Sequence, residues 1–122
     1  MDIGELSDAV ERISRNYAQR FGITRDTDWF LLKLQEEVGE LTQAHLMRQG
    51  QARTKGRTPE ELTIRFADEV ADVLGQVLLL ARHHEIDLVA AMERKWLVWA
   101  EKTPTPWPSH PPVTTGTPAS RA

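Results

Sequence analysis

Cysteine is missing from the 122 residues. Disulfides and thiolate metal sites are therefore excluded, which fits a reducing compartment. Long apolar runs are missing too. None reaches the roughly 18–20 residues that span a bilayer, so no membrane association is expected. The opening Met1-Asp2-Ile3-Gly4-Glu5 has neither the basic stretch nor the apolar stretch of a secretory signal, and a cytoplasmic location is expected. Positive charge is not in excess. The net charge is -3, which argues against a protein that works by coating nucleic acid, so no nucleic-acid polymer is expected as a partner. Several catalytic signatures are absent as well. Gly50 and Gly56 stand at the wrong interval for a P-loop, and Arg57 replaces its lysine. No Glu-x-x-His occurs, against a di-iron bundle, and there is no GxSxG nucleophile.

What remains is helical periodicity. No convincing period-2 alternation is found, so the fold class read from the chain is all-α and four-helix-bundle-like. The first segment spans about Gly4 to Arg20, with Leu6, Val10, Ile13, Tyr17 and Phe21 as its apolar stripe and Gly22 as its stop. The second spans about Asp28 to Arg48 behind Thr27 or Asp28 as cap, with Leu31, Leu34, Val38, Leu41 and His45 as its stripe. The polar connection from Gln49 to Arg57 reads as a mobile loop. Thr58-Pro59-Glu60-Glu61 opens the third segment as N-cap, first-turn proline and capping box. That segment reaches about Glu85 and is apolar on most sides from Val70 to Ala81, as expected of a central helix or a subunit interface. The fourth spans about Asp87 to Glu101, with Leu88, Met92, Trp96 and Trp99 on one face as core or interface residues. Residues 1–102 thus form a helical domain. Residues 103–122 form an extended Pro-rich C-terminal tail that Trp107 could dock.

Two carboxylate runs interrupt this apolar pattern: Glu36-Glu37-Val38-Gly39-Glu40 and Glu69-Val70-Ala71-Asp72. Residues three or four apart share a helix face, so Glu37 can converge with Glu40 and Glu69 with Asp72. At about 100° per residue they border the apolar stripes rather than point into their middle. Half-buried carboxylates need a partner, and a divalent cation is the strongest one available. Oxygen ligands without Cys or His favour Mg²⁺, with Mn²⁺ as a substitute. Spacing alone is weak evidence, because Glu5, Asp8 and Glu11 repeat it on the first segment, where a plain solvated face is expected. The difference is that Glu69 and Asp72 flank the most apolar helix of the chain.

The stretch Lys33-Leu34-Gln35-Glu36-Glu37-Val38-Gly39-Glu40-Leu41, followed by Asp68-Glu69-Val70-Ala71-Asp72-Val73-Leu74, resembles the MazG-like family of all-α nucleoside triphosphate pyrophosphohydrolases. The signature of that family is EExxE, a variable gap, then ExxD. The likeness runs over about residues 28–99. It implies a MazG-like architecture and cleavage between the α- and β-phosphates of a nucleotide, giving a monophosphate and pyrophosphate. By motif position it implies Glu37, Glu40, Glu69 and Asp72 as metal ligands and Lys95 as a catalytic, phosphate-binding lysine. Glu36 and Glu37 complete the catalytic set, with Glu36 holding a second metal, orienting the attacking water or lying on the surface.

Lys33, four residues before Glu37, can bind phosphate or simply pair with Glu37. Arg53, Lys55 and Arg57 can close over a triphosphate or form a solvated linker, and Arg57 is kept as a substrate-binding candidate. Trp29, with Phe30 beside it, can stack on a base or belong to the core. No chemistry is assigned to His45, His83, His84 or His110.

The expected reading is a Mg²⁺-dependent pyrophosphohydrolase serving the nucleotide pool. The long apolar third segment adds the expectation of a homodimer or homotetramer. Two rivals stand beside it. One is a phosphoribosyl-ATP pyrophosphohydrolase, whose helix after the acidic motif typically carries a His where this chain has Gln76. The other is a non-catalytic helical interaction module.

Overall fold

A computed structural model describes residues 1–102. The expectations placed on residues 103–122, Trp107 and His110 among them, lie outside the described residues. The described chain is all-α: α1 (Ile3–Phe21), α2 (Thr27–Arg48), α3 (Pro59–His83), α4 (Leu88–Lys95) and a short 3₁₀ turn (Leu97–Trp99). None of these helices is long and apolar enough to cross a membrane.

Each helix start carries a side-chain cap. Asp2 accepts from the Glu5 amide at 2.8 Å while Glu5 reaches back to the Asp2 amide, closing a capping box on α1. Asp26, one residue before the expected cap, accepts from the Trp29 amide at 2.8 Å and starts α2. Thr58 accepts from the Glu61 amide at 3.2 Å with Pro59 at the first helical position of α3, as expected, but only this half of the expected capping box forms. The helix ends are equally local. At α2 the Gln51 amide donates back to the Leu46 carbonyl at 2.8 Å around Gly50, whose φ of 76° suits glycine. The same closure ends α3, where Ile86 donates to Ala81 at 2.8 Å across Glu85 at φ 55°. Glu85 therefore lies outside α3, which stops two residues short of the expected end.

α2 and α3 form the main antiparallel pair. The Thr27 hydroxyl meets His83 Nε2 at 3.0 Å, and the Phe30 ring stacks on His83 with centroids 4.4 Å apart. At the other end the rings of His45 and Phe66 lie 6.0 Å apart. Phe30, Ala44, Met47, Leu62, Leu78 and Leu79 make the sealed core. α1 lies across α3, also antiparallel, so α3 is the central helix of the three.

The apolar positions of α3 are not covered all round. Val70 and Leu74 remain 46% and 45% exposed. α4 departs from expectation as well. It is one helix of Leu88–Lys95 followed by a 3₁₀ turn, rather than a helix to Glu101, and Met92, Trp96 and Trp99 are exposed instead of lining a core. The physical reason is that α4 packs mainly against its own 3₁₀ turn. A short helix with few apolar contacts among the described residues has little to propagate it.

The solvated face expected for Glu5, Asp8 and Glu11 holds for Glu5 and Asp8, which are exposed, and fails at Glu11. Arg82 pairs with Asp8 at 2.6 Å and with Glu11 at 3.6 Å, and Arg25 pairs with Glu11 at 2.6 Å. Only 12% of the Glu11 side chain is exposed. Sequence spacing could not show this, because both arginines arrive from distant segments.

Candidate metal centre

The antiparallel register of α2 and α3 brings the two carboxylate runs together. Carboxylate oxygens of Glu37, Glu40 and Glu69 lie within 4.8 Å of one another. Asp72, three residues beyond Glu69 on α3, acts electrostatically on both Glu37 and Glu69. Glu37 is half-buried and Glu69 buried, so Glu69 sits deeper than the border position that helical arithmetic implies.

Burial raises the pKa of both groups above the usual carboxylate range. The charges of Glu40 and then Asp72 push each further in the same direction. Lys33 and Arg65 oppose these shifts at Glu37 and Glu69 respectively.

Two oxygens decide what this cluster lacks. Glu37 Oε2 and Glu69 Oε2 are buried without a hydrogen-bond partner. A buried carboxylate oxygen left unpaired is costly, and native proteins satisfy it with a donor, a cation or a proton. The same molecule contains a contrasting case. The α1 carboxylates at Asp8 and Glu11 receive two arginines, whereas the α2–α3 cluster receives Lys33 at 4.0 Å from Glu37 and no closer cation among the described residues. A donor set of hard oxygens with orphaned lone pairs fits Mg²⁺ or Mn²⁺.

Around the cluster, α2 presents a ladder at one-turn spacing: Glu40, Glu37, Lys33, Trp29. Lys33 is held by Glu36 at 3.3 Å as well as by Glu37, and the Glu36 side chain is 56% exposed. Lys33 thus makes the expected helical ion pair and still faces a cavity of about 470 Å³ that opens beside Glu37 and Asp72. Trp29 and Tyr17 are its aromatic walls, Val10, Ile13, Ile23 and Leu79 its apolar ones, and Gln76 is also among its lining residues. Phe30, in contrast, is buried in the core against His83.

On the other side of Glu69 a shallower groove of about 310 Å³ is lined by Arg57, Arg65 and Asp68 among others. Arg57 is therefore beside the cluster, while Arg53 and Lys55 are exposed. Lys95 is exposed on α4 and lines neither of these hollows.

Sequence reasoning missed Gln76, Arg65 and the whole contribution of α1. Gln76 follows Asp72 by one turn and was findable by the spacing that found Asp72. The α1 wall carried no such signal, because Ile13 and Tyr17 read as an ordinary core stripe, whereas they are 67% and 56% exposed beside the cavity. No protein-family model, no curated protein and no solved structure matches this chain.

Proposed function

We propose that the chain is a Mg²⁺-dependent nucleotide pyrophosphohydrolase, with Mn²⁺ as a substitute. The observation that carries this reading is the three-carboxylate cage with two buried, partnerless oxygens, set next to a ring-sized cavity. A divalent ion held there would neutralise the cluster and supply Lewis-acid chemistry to the phosphates and to water. The residues supply the rest. Glu37, Glu40, Glu69 and Asp72 hold the cation, Lys33 meets a phosphate oxygen, and Trp29 offers its face to the base. Glu36, exposed and tethered to Lys33, orients the attacking water on this reading. In the reaction, water adds to the α-phosphorus, the bond to the α–β bridging oxygen breaks, and pyrophosphate leaves.

Incubation of the full chain with a panel of nucleoside triphosphates and Mg²⁺ in ¹⁸O-water tests this. Monophosphate and pyrophosphate are expected in equal amounts, with the label in the monophosphate. Release of orthophosphate alone, or no product from any nucleotide, overturns the reading.

The exposed Val70 and Leu74 of α3, together with Met92, Trp96, Leu97 and Trp99, support a homodimer or homotetramer that covers them. Sedimentation at micromolar concentration is expected to give a multiple of the 13.9 kDa chain mass. A single-chain mass refutes this assembly.

A further inference from the structure

We infer that the cavity between α1, α2 and α3 seats a nucleobase and that Gln76 is the specificity-determining residue that reads the base edge. This rests on the pyrophosphohydrolase reading and extends it to one side chain.

Besides the aromatic Tyr17 and Trp29, the polar side chains lining the cavity are Ser14, Lys33, Glu37, Asp72 and Gln76. Four of them are engaged. The Ser14 hydroxyl accepts from Arg25 at 3.1 Å, Lys33 is tied to Glu36 and Glu37, and Glu37 and Asp72 belong to the carboxylate cluster. Two oxygens among these residues are buried without a hydrogen-bond partner, Glu37 Oε2 and Gln76 Oε1; the first falls to the cation on the proposed reading, and the second is left over. An amide oxygen in that state calls for an N–H donor.

The rest of the wall defines what carries the donor. Trp29 and Tyr17 present ring surface, and Val10, Ile13, Ile23 and Leu79 add apolar wall to an open cavity of about 470 Å³, within the range of small-molecule sites. A flat heteroaromatic ring with N–H on its edge satisfies both demands. Position adds the link to phosphate. Gln76 stands one turn beyond Asp72 on α3, about 5.4–6 Å along the axis. A ring at Gln76 and a phosphate at the carboxylate cluster are thus separated by a short spacer of sugar size. A primary amide offers an acceptor and a donor side by side, so it complements base edges that pair a donor with an acceptor. A carboxylate in its place would instead complement the two adjacent N–H donors of guanine.

The test measures KM and kcat for the four common ribonucleoside triphosphates, and the inhibition constant of inorganic tripolyphosphate, with Mg²⁺. The wild type is compared with Gln76→Leu and Gln76→Glu. Gln76→Leu is expected to raise KM for nucleotides about tenfold to a hundredfold, the loss of a buried hydrogen bond. Its kcat and tripolyphosphate inhibition should not move. Gln76→Glu is expected to shift the preference toward guanine nucleotides.

Equal loss on nucleotides and tripolyphosphate would show Gln76 to be merely structural, and unchanged KM values in both variants would show it to be idle. Either result overturns the inference while leaving the enzyme standing. If the wild type cleaves no nucleotide, the enzymatic reading fails first, and Trp fluorescence titration with nucleoside monophosphates then decides the cavity. Base-dependent quenching that Gln76→Leu abolishes upholds it, and no quenching sinks it.

Discussion

Glu40→Gln or Asp72→Asn is expected to lower nucleotide hydrolysis by about a hundredfold or more while the chain folds as well as before, or better. Each change keeps the shape of the side chain and removes a negative charge. The loss follows from the several kcal/mol of charge stabilisation that a correctly held cation contributes to phosphoryl chemistry, each ~1.4 kcal/mol being a factor of ten in rate. The gain in folding follows from the cluster itself. Glu40 and Asp72 both push the carboxyl groups of Glu37 and Glu69 toward protonation, so the four charges oppose one another in the absence of a cation. Activity and thermal melting measured on the same preparations separate the two effects. Glu36→Gln provides the comparison. Its side chain is 56% exposed, so it should melt like the wild type and should lose less activity than the cage variants. Full activity in Glu40→Gln or Asp72→Asn would remove those residues from the ligand set.

The second large effect concerns stability, and its sign depends on the cation. Glu37 and Glu69 keep their protons to higher pH in the folded chain than the value of 4.5 ordinary for the unfolded one. Between that value and the raised ones the folded state binds more protons. Stability contributed by this cluster therefore falls as pH rises through the window, and the full penalty is present above it. Below about 4.5 both states are protonated and the penalty vanishes. In EDTA the melting temperature of the wild type relative to Glu69→Gln should accordingly drop as pH rises from the ordinary carboxylate range to neutrality. Saturating Mg²⁺ should reverse this trend, because protons and the cation compete for the same oxygens. At a hundred times its dissociation constant a bound ion adds ~2.7 kcal/mol, which is several degrees in a domain of this size. Identical melting in EDTA and in Mg²⁺ at neutral pH would mean that the cage holds no divalent ion.

How far the chain can be read without coordinates varies from residue to residue, for physical reasons. The cap at Thr58, the proline at the first position of α3 and the glycine stop of α1 are local interactions within a few residues, and they stand where expected. Glu37, Glu40 and Glu69 were recognisable because a helix converts a spacing of three into a shared face, and their meeting required only that α2 and α3 pack antiparallel. Glu11 misled because its partners, Arg25 and Arg82, lie on other segments. For Trp96 and Trp99 the core half of the expectation fails, because apolar spacing reports that a face is fit for burial, not that the same chain buries it. Lys95 was singled out only by the resemblance, and it lies on a helix that the described fold leaves largely unpacked.

By itself the sequence determined the all-α class, the three long helices and their punctuation, and the two acidic faces, since hydrogen bonding and periodicity within one helix suffice for all of these. Tertiary structure alone decided which acidic face pairs with arginine and which has Lys33, 4.0 Å from Glu37, as its ion-pair partner. It also decided that α1 closes a cavity over Trp29 and Gln76. Those outcomes depend on which side chains approach across helices that are distant in the chain. The balance of desolvation against pairing exists only once that approach has been made.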